Sequence, residues 1–306
     1  NTVIGKKEKT VEKIQVSVYY FNNFIINKNK GVRIIMNRIR AKLSMLLAVC
    51  CMFLLAACGT NQQNSASNQN SKTLKVGTNA AFAPFEYMDK GKVTGFDIDL
   101  IQAVAKEAGY QVDVQNEGWD SMLANLQNKQ SDLAISGITI NDDRKKTYDF
   151  SRPYFEATNV IVVKKGSNVQ NAKDLKGKKV GVQNGTTGQV AAEKILGKNS
   201  QNVKKYEDVP VAFMALKNKE VDAVVIDNVV ANEYVTNHPK ENLKVITDRK
   251  NFESEFYGIA FPKGSELAPK FDQALEKVMN NGTYAKLYKK WFGKEPDMKA
   301  LKKGGQ

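Results

Sequence analysis

Histidine is almost missing from this chain: His238 is the single one in 306 residues, alongside three cysteines and two tryptophans. The cysteines, Cys50, Cys51 and Cys58, all lie within the first 58 positions. Everything after them is without thiols, which excludes a disulfide framework, a cysteine nucleophile and a Cys/His zinc site from that part. His238 sits in the polar turn Asn237-His-Pro-Lys240 and has no patterned partner that would make it a catalytic base. No paired carboxylates stand out beyond positions that read as helix caps. A Gly-x-Gly-x-x-Gly order is absent, and so is a Gly-Lys-Ser/Thr ending, so no nucleotide loop is expected. These absences together point away from an enzyme and imply neither a cofactor nor a metal.

Charge is present but badly distributed. The formal balance is +14, yet residues 1–57 hold ten basic and two acidic side chains, leaving 36 against 30 for the rest. The surplus on the main body is mild, which removes the case for nucleic acid as a partner. The front of the chain explains the excess. Met36 is followed by Arg38, Arg40 and Lys42, then by the apolar run Leu46–Leu55, too short for a comfortable membrane span. It ends in Leu55-Ala56-Ala57-Cys58-Gly59, small residues that admit a peptidase to the backbone. This order resembles the lipobox of bacterial lipoproteins. That resemblance implies a signal peptide at 36–57, a diacylglycerol on Cys58, and cleavage that makes Cys58 the first mature residue. Residues 1–35 precede Met36 and are set aside as upstream sequence. Residues 58–72, rich in Asn, Gln and Ser, read as a flexible tether. The expected location is extracytoplasmic, held to the cell membrane by lipid alone, with a Gram-positive-like surface favoured.

Beyond the tether, strands and helices alternate, which predicts an α/β fold. Leu74–Thr78 reads as a strand, followed by the loop Asn79-Ala-Ala-Phe-Ala-Pro-Phe-Glu86. Phe82 in that loop serves either the core or a ligand wall. Ile98, Ile101, Val104 and Ala105 form a helical stripe that Gly109 terminates. Trp119 stands at a strand-to-helix junction, before Asp120 as an N-cap, and is either a buried core residue or a binding residue. The third strand, Leu133–Ile135, runs into Ser136, Gly137 and Thr139. Asn141 or Asp142 then caps a short helix that carries Arg144. A close backbone approach, a hydroxyl and a guanidinium fork at a strand end suit a carboxylate.

A second half repeats the plan. Thr158–Val163 is an apolar β-branched run and a candidate crossover between lobes. The strand Lys179–Val182 ends in Gln183-Asn-Gly-Thr-Thr-Gly188 before a helix, a setting whose amides favour anions. Asp208 is expected to cap the next helix, which has Pro210 in its first turn. Glu220–Asp227 has the build of Ser131–Ser136, so Asp227 occupies the place of Ser136 in the other half. A helix cap for Asn228–Tyr234 is the alternative role for Asp227. The closing segment, with Tyr284, Leu287, Tyr288, Trp291 and Phe292, has helical period and is expected to bury against a lobe.

Four segments together resemble the bacterial extracellular solute-binding proteins of polar amino-acid ABC importers. They are Asn79–Glu86, Gly95-Phe-Asp-Ile-Asp-Leu100, Ser136–Arg144 and Asn281–Phe292. The resemblance spans roughly Lys72 to Pro296. It implies a periplasmic-binding-protein-like α/β fold, two lobes joined by two hinge strands around a cleft. Lobe 1 would be discontinuous, 73–156 and 254–306, and lobe 2 would be 157–253. It implies a monomer that closes on a free amino acid and docks on a permease, and through it reaches the ATPase subunits. The α-carboxylate clamp falls on Arg144, with Thr139 and the backbone near Thr186 and Thr187. The α-ammonium partners fall on Asp227 and the Gly137 carbonyl, and the aromatic walls on Phe82 and Trp119.

Members that bind lysine or arginine tend to carry an acidic residue where this chain has Asn79. Some glutamine binders have Lys and His where it has Gln183 and Ile226. Asn79 supplies no counter-ion, and Gln183 can exchange hydrogen bonds with an amide, so glutamine is the first expectation. A basic amino acid (arginine, lysine or histidine) is the alternative, since Phe82 and Trp119 could hold a cation by cation–π contact. Cystine is a further alternative. More distantly, a ligand-sensing domain would use the same cleft, and it would need membrane spans after the domain.

Overall fold

The computed structural model describes residues 72–304. Residues 1–35, the leader 36–57, Cys58 and the tether up to residue 71 lie outside the described residues. The strands in chain order are β1 Thr73–Thr78, β2 Ala81–Phe82, β3 Glu86–Asp89, β4 Lys92–Thr94, β5 Gln111–Asn116, β6 Leu133–Ala134, β7 Tyr148–Phe150, β8 Phe155–Lys164, β9 Val180–Gln183, β10 Val203–Tyr206, β11 Ala223–Asp227, β12 Leu243–Ile246, β13 Ser254–Tyr257 and β14 Ala260–Pro262. They form two large mixed sheets, ordered β5-β1-β6-β14-β7 and β10-β9-β11-β8-β12, with β13 also on β8. The strands β2, β3 and β4 make a small separate sheet in the loop after β1. Helices cover both large sheets, so the architecture is two α/β lobes, as the alternating pattern predicts.

The lobes are linked through two paired strands, the long β8 and β13. The second half of β8 pairs antiparallel with β11 and β12, from Asn159 to Lys164. Its first half, Phe155 to Thr158, pairs with β13 instead. The chain thus leaves the first sheet on β8 and returns to it from β13. Side chains of β8 alternate: Ile161 and Val163 enter one core, while Val160 and Val162 enter the other. A strand buried on both faces has to be apolar throughout, which is why this run shows no polar alternation.

Aromatic packing fixes the start of the link to the first lobe. Phe155 stacks on Tyr257, the last residue of β13, at 5.7 Å and 21°. Phe85 meets Phe155 edge-on at 4.8 Å, and Phe292 meets Phe96 at 4.9 Å. Each such pair contributes about 0.5–1.5 kcal/mol beyond its buried area. The final aromatic helix, Thr283–Phe292, therefore packs inward, and the Tyr284 hydroxyl donates to the Tyr154 carbonyl at 2.6 Å.

Two local expectations fail for backbone reasons. The helix Trp119–Gln127 begins at Trp119 itself, because Gly118 at φ 72° takes the cap position. Asp120 lies in its first turn rather than capping it. Asp208 does hold the N-cap position of the helix Val209–Lys217, but its carboxylate makes no cap bond. Pro210 has no N–H to offer it.

Candidate ligand-binding cleft

Parallel strands in α/β sheets place ligands beyond their carboxyl ends. Here both sheets aim those ends at one cleft. From the first sheet come Asn79 after β1, Trp119 beyond β5, and Ser136 and Gly137 after β6. From the second come Gln183 at the end of β9 and Asp227 at the end of β11. The cleft wall contains Asn79, Phe82, Trp119, Gly137, Thr139, Arg144, Gln183, Thr186, Thr187 and Asp227. All ten residues singled out in the sequence thus come together, from segments up to 148 positions apart.

Local chemistry explains each placement. Asn141 caps the helix Asp142–Thr147 by accepting from the Arg144 amide at 2.8 Å. That cap turns Arg144 back into the cleft, where its guanidinium donates to the Thr139 carbonyl at 3.0 Å. Gly137 sits at φ 53°, and a Cβ there would come within 2.8 Å of the Phe82 ring. Only glycine lets this backbone lie on that ring. Thr186 caps the helix Thr187–Leu196 through its hydroxyl, so the first amides of that helix face the cleft.

The Gly137 segment rests on two carboxyl groups that sequence inspection did not single out. Asp97 is fully buried and accepts from the Gly137 amide at 2.9 Å and the Tyr154 hydroxyl at 2.7 Å. Glu86, equally buried, accepts from the Ser136 hydroxyl at 2.8 Å, and that hydroxyl accepts from the Asn79 amide at 3.0 Å. Desolvation raises both pKa values, that of Asp97 to about 6.

Charges gather at one end of the cleft. Asp227 Oδ1 is buried and has no hydrogen-bond partner among the described residues, and its side chain makes no cap bond to the helix Asn228–Asn237. The capping alternative for Asp227 is therefore set aside. Burial, then the negative charge of Glu255, pushes its pKa up to about 7. Glu255 is a second residue the sequence hid, lying in a polar stretch with no periodicity. Its Oε2 accepts from Thr139 at 2.9 Å and from Thr187 at 2.7 Å, and Oε1 accepts from Asn159 at 2.7 Å. One carboxylate on β13 thus ties the two lobes together. Burial lowers the pKa of Arg144, while Glu255 and Asp227 act against that fall.

The two lobes meet in the closed position. Arg144 Nη2 reaches the Gly185 carbonyl at 3.3 Å, and Asn184 donates to Asp120 at 3.0 Å on the rim. Gln183 donates to Asn79 Oδ1 at 3.0 Å. The Arg144 guanidinium lies 5.1 Å from the centre of the Trp119 ring. Trp119 is buried, so its role is both wall and packing partner, and the cation it holds in this state is Arg144. Among the described residues there is no cluster of three metal-ligating side chains, and no helix is long and apolar enough to cross a membrane.

Comparison with known proteins agrees with this geometry. The family model for bacterial extracellular solute-binding proteins, family 3, matches residues 74–294. A probable histidine-binding protein of Neisseria gonorrhoeae is 42% identical over 80% of this chain and 93% of its own length. The arginine-binding extracellular protein ArtP of Bacillus subtilis is 39% identical over 82% of this chain and 97% of its own. Among solved structures, the arginine-, lysine-, histidine-binding protein ArtJ of Geobacillus stearothermophilus is 61% identical, covering 76% of this chain and all of that one, at a TM-score of 0.74. The two-lobed architecture described above is the periplasmic-binding-protein fold.

Proposed function

The chain belongs to the bacterial extracellular solute-binding proteins of family 3, and from that premise we propose that it captures a basic amino acid, arginine foremost, and delivers it to the permease of an ABC importer. Its family is one of binding proteins, not enzymes. The carrying observation is the pairing of opposite charges in one cleft: the Arg144 guanidinium, and the buried, unpartnered oxygen of Asp227. A zwitterion supplies the complement of both. Its carboxylate meets Arg144, Thr139 and the amides at Thr186 and Thr187. Its ammonium meets Asp227 and the Gly137 carbonyl. Each charge-assisted bond contributes about 1.5–3 kcal/mol, more than a neutral one, which accounts for anchoring at the end common to all amino acids.

Basic ligands take precedence over glutamine, the first expectation from Asn79 and Gln183, because the three relatives described above are named for arginine, lysine or histidine. Phe82 offers an aromatic face to a cationic side chain. The test is calorimetric titration of the full-length protein in detergent with arginine, lysine, histidine, glutamine and cystine. Arginine is expected to bind in the micromolar range or tighter and at least tenfold more tightly than glutamine. A preference for glutamine or cystine would overturn the choice of ligand.

We also propose that Cys58 carries the lipid that keeps the protein at the outer face of the cell membrane. Cys58→Ser is expected to move it from the membrane pellet to the soluble fraction. Retention in the pellet would refute that anchor.

A further inference from the structure

A cationic side chain in this cleft needs a counter-charge, and Asn79 cannot provide one. We propose that Asp208, which follows the end of β10, is the residue that selects a positively charged side chain; this rests on the basic-amino-acid reading above. At the N-cap of the helix Val209–Lys217, an Asp carboxylate ordinarily accepts from a first-turn amide. Pro210 removes one of those donors. The amides of Val211 and Ala212 go to the Asp208 main-chain carbonyl, at 3.2 and 3.3 Å. The carboxylate is released and stands just behind the cleft wall, next to the lining residue Val209, where Oδ1 accepts from the lining residue Asn79 through Nδ2 at 2.9 Å. Asn79 Oδ1 and the Glu207 carbonyl accept from Gln183 Nε2, each at 3.0 Å. Asn79 is therefore committed to Gln183 and Asp208, and Gln183 to Asn79 and Glu207. Among the described residues, Asp208 Oδ2 takes no hydrogen bond.

Strand order sets the distance. In the second sheet β10, β9 and β11 are neighbours, so Asp208 lies two strands from Asp227. Two inter-strand spacings are about 10 Å. An amino acid with its ammonium at Asp227 must extend a long side chain to reach Asp208, and only a cationic end gains an ion pair there. In the first sheet β6 and β1 are adjacent in the same sense, carrying Gly137 and Asn79. Phe82 lines the cleft between these strands, against Gly137.

Citrulline has the shape of arginine without its charge, which makes it the discriminating probe. Asp208→Asn preserves an oxygen that can accept from Asn79 and removes only the charge. In the full-length protein, Asp208→Asn is expected to weaken arginine by about 10–100-fold and to change citrulline and glutamine less than about twofold. Adding Asn79→Asp to Asp208→Asn is expected to restore most of the arginine affinity. Equal losses for arginine and citrulline would assign Asp208 to lobe closure and overturn its role as counter-ion, as would unchanged arginine affinity. A wild-type protein that binds no cationic amino acid would refute the underlying reading, and the role of Asp208 with it.

Discussion

The cleft has two polar ends built on different principles. Arg144, Asp227 and Glu255 are ionisable groups, tied to β13 and to the ends of β6 and β11, with Arg144 and Asp227 held in a low-dielectric setting. Asn79, Gln183 and Asp208 are two amides and one carboxylate from a turn, and they hold one another. The first arrangement suits a function that is the same for every amino acid. Its charges are costly to bury unpaired, so a ligand that pairs them gains much. The second is cheap to alter, because exchanging an amide for a carboxylate changes one hydrogen bond and one charge. Specificity in this fold can therefore be altered at one end without disturbing the other.

The largest effect should come from the charged end. Arg144→Ala is expected to weaken every amino acid by at least about 100-fold, since it leaves a carboxylate without its fork of donors. Calorimetry on arginine and glutamine in parallel would show equal losses. A loss confined to one of them would break the division between a shared end and a selective end.

Next comes pH. Asp227 has a pKa near 7 against an ordinary 3.8, and Asp97 one near 6. Between those ordinary and raised values the folded chain holds more protons than the unfolded one. Stability of the ligand-free protein therefore falls as pH rises from about 4 to 7 and is greater on the acid side. Ligand binding needs Asp227 ionised, so affinity should drop by up to about tenfold per unit below pH 7. Melting curves from pH 8 to 5.5 are expected to show the ligand-free transition rising while the increment from arginine shrinks. An increment independent of pH would assign the ammonium to another group.

Glu255→Gln separates the lobe tie from the ligand charges. It keeps one oxygen for the two threonines and removes the negative charge that raises the Asp227 pKa. The midpoint of the pH dependence should move downward, while affinity at pH 8 changes by less than about tenfold. An unmoved midpoint would show that burial alone sets the Asp227 pKa. The smallest effect is expected from Gln183→Leu. It removes two neutral hydrogen bonds, of which only the one to Asn79 crosses the cleft, and loss of that one should cost about 1 kcal/mol, roughly fivefold in affinity, for arginine.

Much of this was legible along the chain. The apolar β-branched run Thr158–Val163 announced a strand and a crossover between lobes, and the structure added that it is buried on both faces. The segment from Ser136 to Arg144 suited a carboxylate but equally a solvated surface Arg, and its place in the cleft came only with the fold. Other features were not. Asp208 followed by Val-Pro reads as a helix start, and only the absent N–H of Pro210 frees its side chain to reach Asn79. Glu255 stands in a stretch without periodicity. Glu86 and Asp97 stand in the loop after β1 and in a first helical turn, where nothing local marks them as buried, yet both are fully buried beneath Gly137. Trp119 was ambiguous, and its ring faces Arg144 while being packed within the lobe.

By itself the sequence determined the α/β class, the elements and the types of side chain at the strand ends, because periodicity, caps and glycines act over a few residues. Tertiary structure alone decided which of those side chains share a cleft. Asn79 and Asp208, 129 positions apart, meet because β1 and β10 end on opposite sides of one gap. A charge's partner is set by distance in space, and no local pattern in the chain encodes that distance.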